Sequence, residues 1–207
     1  MPLQNRVTPT GDIIVHPARG LFMGNRGILH DEARRLGTAR WRHPHWIACL
    51  TAFKGRRRVP MTPHRYTELF FLDEAVALAA GHRPCAECRR DDWRRFLAAW
   101  RDGNGDGVRG AAELDRTLHE ARLLPRRRVQ RRHEADIATL PDGCFIAAGQ
   151  GPCLVHGERL LPWSPGGYGS ALRRPANGAV AVLTPAPVVA ALRAGYAPHL
   201  HPGAAAA

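Results

Sequence analysis

Read for alternation, the chain opens with short apolar segments broken by turn residues. Asp12-Ile13-Ile14-Val15 and Gly20-Leu21-Phe22-Met23 read as strands, separated by Pro17 and closed by a Gly24-Asn25-Arg26-Gly27 turn. Trp46-Ile47-Ala48-Cys49-Leu50 is short enough for a further strand, and Lys54-Gly55-Arg56-Arg57-Arg58 suggests a basic hairpin turn after it. The period then changes. After Leu69-Phe70-Phe71, Asp73 and Glu74 complement the positive end of a helix, Ala75 to Ala80 has high helix propensity, and Gly81 supplies a stop. Trp93, Phe96, Leu97 and Trp100 fall on one face of a second helix beginning near Asp91-Asp92, and Leu114, Leu118 and Ala121 mark a third over residues 111–124. Beyond that the texture is β. Phe145-Ile146-Ala147 follows an Asp142-Gly143 turn, Cys153-Leu154-Val155 and Arg159-Leu160-Leu161 flank a His156-Gly157-Glu158 turn, and Val180 to Leu183 forms another strand. Residues 185–194 read as a last helix stopped by Gly195.

These elements predict an α+β fold: a small strand–helix module, then helices, then an antiparallel β-rich region. The division expected is an α+β region at 1–110, a helix plus β-rich region at 111–203, and a disordered Ala-rich tail at 204–207. The two regions could still close on one another as a unit. A chain of 207 residues, 44% of them hydrophobic, is long enough to bury a substantial core.

Charge narrows the partners. Thirty basic residues against eighteen acidic ones leave a formal net charge of +12, so phosphate backbones or anionic surfaces are the natural attraction and nucleic acid, DNA first, is the expected partner. Lys54 is the single lysine, so arginine usage by itself reflects overall composition rather than a recognition code. No apolar run approaches the ~20 residues a membrane span needs, and the N-terminus lacks an apolar signal core, so a soluble cytoplasmic protein is expected.

Five cysteines, at 49, 85, 88, 144 and 153, are too few and too unevenly spaced for a disulfide framework. Cys144 and Cys153 sit in expected strands and read as small buried apolar groups. Cys85 and Cys88 are different, because C-x-x-C lets two thiolates converge on one tetrahedral ion at about 2.3 Å each. A thioredoxin-like redox pair would sit just after a strand at a helix N-terminus, whereas here Gly81-His82-Arg83-Pro84 turns the chain out of a helix first. A metal site, with zinc as the expected ion, is the better reading.

At these residues a resemblance becomes specific. Leu69-Phe70-Phe71-Leu72-Asp73-Glu74-Ala75, followed by Ala79-Ala80-Gly81-His82-Arg83-Pro84-Cys85-Ala86-Glu87-Cys88-Arg89, resembles the second half of the zinc module of Ada-type DNA-repair proteins. The resemblance is clear over residues 69–89, and the whole module would occupy about 41–92. It implies two earlier ligands spaced C-x3-C or H-x3-C, and His45-Trp46-Ile47-Ala48-Cys49 supplies the second form. The resulting ligand set is His45, Cys49, Cys85 and Cys88, with His43, His64 or His82 as substitutes for His45. The long separation from Cys49 to Cys85 implies an insertion around Lys54 to Arg65. With His45 in the position of the family's methyl-accepting cysteine, the resemblance implies zinc binding and DNA contact rather than demethylation. If Cys49 aligns with that cysteine instead, Phe53 occupies the second ligand position and a three-ligand reactive site results.

The functional expectation is therefore a zinc-binding, DNA-associated protein in repair or defence. Zinc would be structural, and phosphate would be met by Lys54, Arg56, Arg57, Arg58, Arg83, Arg89 and Arg90, with further arginines through 95 and over 126–132. Two alternatives stand beside it: the Ada-like methyl acceptor, and a metal-dependent nuclease-like enzyme drawing on acids and histidines such as Glu68, Asp73, His119, His133, Glu134 and Asp136. Whether the chain is an enzyme stays open at this point. Asp102-x-Asn104-x-Asp106-Gly107 with Glu113 fits the calcium-loop template, although Arg109 stands where that loop is usually apolar and there is no second loop to pair with. A Gly/Asp-rich turn is the simpler reading.

Overall fold

The computed structural model describes residues 1–56, 59–124 and 129–207. In chain order, β1 (Gln4–Val7), β2 (Ile13–Val15), β3 (Phe22–Asn25), β4 (Ile47–Leu50) and β5 (Leu69–Phe71) precede α1 (Glu74–Ala79). Then come β6 (Arg83–Pro84), α2 (Arg90–Asn104) and α3 (Ala111–Arg122). The second half runs β7 (His133–Asp136), a 3-10 turn at Ile137–Thr139, β8 (Phe145–Ala148), β9 (Gly151–His156), β10 (Arg159–Ser164), β11 (Gly167–Tyr168), β12 (Leu172–Arg173), β13 (Ala179–Val182), α4 (Ala186–Arg193) and α5 (Gly203–Ala206). The fold is α+β. None of the described helices is long and apolar enough to cross a membrane.

Two mostly antiparallel sheets organise it. The first is ordered β2-β1-β5-β3-β4-β6, and the second β11-β10-β9-β8-β13-β7 with β12 against β10. The second sheet is the shared wall of two cores, and its strands show why. Along β8, β9 and β10, Ile146, Cys153, Val155 and Leu160 face a cluster with Phe96, Trp100, Leu114 and Val188 from the helices. Their neighbours Phe145, Leu154 and Leu161 face the opposite way, into a cluster with Phe71, Ala75 and Val76. Period-2 side chains buried on both faces demand near-continuous apolar runs, which is what these strands carry. Cys144 and Cys153 are 0% and 2% exposed, as small apolar groups in this wall.

Both cores therefore draw on residues from each side of position 110, and the division expected there is not a boundary in the packing. The tail is also ordered rather than loose: Ala204 is buried, and the Ala207 carbonyl accepts from Arg159. A polar seam adds to the closure. Asp73 caps α1 by accepting from the Val76 N–H at 3.0 Å, and its other oxygen accepts from the Tyr168 hydroxyl at 2.7 Å and the His201 N–H at 3.0 Å. Glu74 accepts from the Tyr196 hydroxyl at 2.6 Å and the His199 N–H at 2.9 Å. The acids read as dipole complements at a helix start thus also pin the C-terminal segment, which no local pattern could announce.

Candidate metal centre

The first sheet builds the cysteine cluster. β6 is parallel to β4, with Ile47 opposite Arg83 and Ala48 opposite Pro84, and the Cys85 N–H donates to the Ala48 carbonyl at 3.0 Å. That pairing sets Cys85 beside Cys49 on the adjacent strand. Gly81, at φ +77°, makes the turn from α1 into β6; a Cβ there would also come within 2.5 Å of the Arg122 side chain. After Cys85 the chain makes one turn, closed by the Arg89 N–H on the Cys85 carbonyl at 3.1 Å, and this returns Cys88 to the same place.

The three Sγ atoms of Cys49, Cys85 and Cys88 all lie within 4.8 Å of one another, a group that could hold a metal ion. A tetrahedral ion with bonds of about 2.3 Å requires sulfur separations of about 3.8 Å, so the spacing is on the right scale. None of the three is in a disulfide. Backbone N–H groups already point at the sulfurs, Leu50 at Cys88 and Glu87 at Cys85, each at 3.4 Å. Hydrogen bonds from the Cys49 and Cys88 thiols, with the backbone N–H groups of Cys88 and Glu87, lower the Cys85 thiol well below its ordinary value and favour its thiolate form within the trio. The contact with Cys85 pushes Cys49 the other way. Three sulfurs sharing protons in this manner are a soft donor set, suited to a thiophilic cation that would replace those protons.

His45 does not join them. Its Nδ1 lies 2.9 Å from Asp115 Oδ2, and its side chain is 56% exposed. The physical reason is the backbone: β4 begins only at Ile47 and no helical turn joins His45 to Cys49, so nothing local folds the imidazole back toward the sulfurs, and Asp115 holds it instead. An H-x3-C pair can share an ion only across a turn or helix. The substitutes are engaged elsewhere too. His43 Nε2 is 3.1 Å from Asn25 Oδ1, exposed His64 lies 3.6 Å from Glu32, and His82 is buried against Trp46 and Phe71. Among the described residues the cluster comprises three ligands.

The centre is not enclosed. Cys49, Cys85 and Cys88 line a cavity of about 230 Å³ together with Asn25, Tyr66 and Glu68. Glu68 is 3% exposed, and one of its carboxylate oxygens accepts from the Met61 N–H at 2.7 Å. Met61 itself sits at φ +56°, an unusual conformation for a side-chain-bearing residue. Of the acids and histidines expected as candidates for catalysis, Glu68 is the one that lines this cavity. Asp73 caps α1, His119 is bound to Arg122, and His133, Glu134 and Asp136 belong to β7 in the other sheet.

Two expected phosphate contacts are excluded by burial. Arg83, 5% exposed, forks onto Asp115 with Nε and Nη2 each 2.8 Å from a carboxylate oxygen. Arg89, 4% exposed, has Nη2 at 2.7 Å from Glu74 and 2.8 Å from Asp92. These guanidiniums join elements rather than face solvent. Lys54, Arg56 and Arg90 are exposed, although Lys54 and Arg56 both approach Glu87, at 3.7 and 3.1 Å. Arg57, Arg58, Arg126, Arg127 and Arg128 lie outside the described residues.

The calcium loop is likewise not formed. α2 continues through Asp102 and Asn104, the Asn104 amide donates to the Trp100 and Pro187 carbonyls, and Glu113 turns back to accept from the Arg109 N–H at 2.6 Å. A helix consumes the first positions of the template, so its ligands cannot wrap one ion. No family model, curated protein or solved structure matches the chain, so the cysteine cluster and its cavity are what any functional reading must start from.

Proposed function

We propose that Cys49, Cys85 and Cys88 bind one zinc ion as thiolates, that its fourth position faces the adjoining cavity, and that the protein is a zinc-dependent enzyme processing nucleic acid. The observation that carries this is the placement of three convergent sulfurs on a cavity wall that also includes the buried acid Glu68. Structural zinc is held by four protein ligands, whereas catalytic zinc takes three and leaves one position for water or substrate. Zinc when bound would polarise a water or a substrate oxygen there. In this reading Glu68, whose carboxylate is held by the Met61 N–H, would accept the proton of an attacking water and return it to a leaving group. The exposed cations Lys54, Arg56 and Arg90 flank the same stretch of chain, and the net charge of +12 favours a polyanionic substrate.

A second reading rests on Cys49 itself, which is only partly buried and lines the cavity. A zinc thiolate in that position could accept an alkyl group once and irreversibly, as the resemblance to Ada-type modules suggests for a three-ligand site.

Metal analysis of the purified chain tests the centre: one zinc per chain is expected, lost in Cys49→Ser, Cys85→Ser and Cys88→Ser and retained in His45→Ala. A wild type that folds without metal removes both readings. Incubation with single- and double-stranded nucleic acid then separates them. Chelator-sensitive turnover that Glu68→Gln abolishes while keeping its zinc supports the enzyme, whereas a single methyl gained on Cys49 from methylated DNA supports the acceptor.

A further inference from the structure

A second cavity, of about 280 Å³, lies away from the cysteines and is walled by Arg26, Arg40, Trp41, Trp46, Gln130 and Arg132. One of these residues, Arg26, forms an unusual charge arrangement with its buried neighbour Arg122. Arg26 is 2% exposed and its three donors reach only neutral acceptors: the Gly11 carbonyl at 3.0 Å, His82 Nε2 at 3.4 Å and the Ala80 carbonyl at 3.5 Å. Arg122, fully buried, is similarly held by the Gly81 and Pro44 carbonyls at 2.6 and 2.7 Å and by His119 Nδ1 at 2.7 Å, with its Nε unpartnered. The two guanidiniums stack on the same indole, 4.1 and 3.7 Å from the Trp46 ring centre. Buried charges are ordinarily paired with opposite charge, and here carbonyl dipoles and a π-face stand in for it. Burial lowers Arg26 to about 9, with Asp12 opposing and Arg40 adding to the effect.

The rest of the wall supplies other chemistry. Trp41 is half-buried and offers an aromatic surface. Gln130 is oriented by its amide N–H on the Ala79 carbonyl at 3.4 Å, which leaves its Oε1 buried with no donor. Asp12, on the rim, accepts from the Thr10 hydroxyl at 2.7 Å and is the acid of the set. Arg26, Arg40 and Arg132 against Asp12 leave the cavity cationic.

We propose that this cavity binds a nucleotide unit, with the phosphate drawn to Arg26, Arg40 and Arg132, the base against Trp41, and a base N–H or sugar hydroxyl given to Gln130 Oε1. Ligand cavities run from about 300 Å³ upward, so this one suits a single nucleotide unit rather than a stretch of strand. The unit can be a free mononucleotide or the phosphorylated end of a strand. The site shares no residue with the cysteine centre and stands whether or not that centre is catalytic.

Calorimetry on the full chain with adenosine 5′-monophosphate, adenosine and inorganic phosphate tests it, together with a short oligonucleotide bearing or lacking a 5′-phosphate. Saturable binding of the monophosphate is expected, with adenosine and phosphate each at least about tenfold weaker, and a loss of about tenfold in Arg40→Ala, Arg132→Ala and Trp41→Leu. These three positions are partly or fully exposed, so they remain informative if Arg26→Gln fails to fold. Monophosphate binding that the phosphorylated strand does not improve assigns the cavity to free nucleotide; binding confined to the phosphorylated strand, with the same variant dependence, assigns it to strand ends. No heat from any of the ligands at millimolar concentration, equal binding of phosphate and monophosphate, or wild-type binding by all three variants overturns the proposal.

Discussion

Two sets of buried arginines sit in this molecule and are compensated in opposite ways. Arg83 and Arg89 are locked to Asp115 and to Glu74 and Asp92, at 2.7–2.8 Å. Arg26 and Arg122 lie as deep, yet their partners are carbonyls, imidazoles and one indole. The difference separates two uses of one residue type. A guanidinium paired with a buried carboxylate joins the fold and has its charge answered from within the chain. One held by dipoles beside a cavity keeps an unneutralised charge that an incoming anion can answer.

The paired set should give the largest response to mutation. Glu74→Ala leaves Arg89 with Asp92 alone and strips acceptors from Tyr196 and the His199 N–H, so a loss of about 3–5 kcal/mol is expected in denaturant unfolding, as for breaking a buried ion pair. A change under 1 kcal/mol would mean that this seam is not what joins the two halves.

Acid should distinguish the sets next. Burial and the charge of Arg122 hold His119 down to about 4, and burial with Arg26 and Arg122 holds His82 well below its ordinary 6.5. The folded state therefore binds fewer protons than the unfolded chain between these values. Stability is full above about 6.5 and falls as the pH drops toward 4. In the paired set, burial opposes but hydrogen bonds from His199 and Arg95 and the charge of Arg89 hold Asp92 down to about 2, so its contribution is intact above the ordinary 3.8 and lost only below it. Thermal unfolding followed from pH 7 to 3 should show the first loss in the His82–His119 range. His119→Gln should flatten that limb, and an unchanged limb would break the contrast.

Tyr196→Phe deletes one hydrogen bond to the Glu74 carboxylate and should cost about 1.5 kcal/mol, additive with changes in the unpaired set, which shares none of its partners. The smallest effect is expected from Arg26→Met. An unneutralised buried cation replaced by an apolar side chain of similar volume should cost less than about 1 kcal/mol or stabilise the fold. A loss above 3 kcal/mol would place Arg26 with the joining arginines and remove the basis for a ligand at that cavity.

Local pattern accounts for much of the architecture. The α1 segment with Asp73 at its cap, the aromatic face of α2, and the β9–β10 hairpin around Gly157 each follow from spacing and turn chemistry over a few residues. Strands β1 and β7 escaped that reading because Gln4-Asn5-Arg6 and His133-Glu134 are polar and give no apolar alternation of strand period. The α5 turn escaped because an Ala-rich end gains order only by packing Ala204 into the second core.

The candidate site divides along the same line. That Cys85 and Cys88 converge was legible, since Gly81 and Pro84 end the regular elements before them and two residues separated by two others meet once the chain turns there. That Cys49 is the third sulfur depended on a two-residue parallel strand, β6 against β4, which carries no periodic signal. That His45 is absent depended on the chain before β4 making no helical turn toward Cys49 and on Asp115, seventy residues on, engaging its ring. The fate of each arginine was illegible for a related reason. Sequence counts charges, but whether a guanidinium meets a carboxylate, a carbonyl or water is set by elements distant along the chain, as Arg83 with Asp115 and Arg26 with Gly11 show. The sequence alone thus determined the local elements, the excess of positive charge and the paired cysteines. Tertiary structure alone decided that Cys49 joins the pair without His45, the cavity beside them and which cations remain unneutralised, because each of those is a distance between segments that no local interaction fixes.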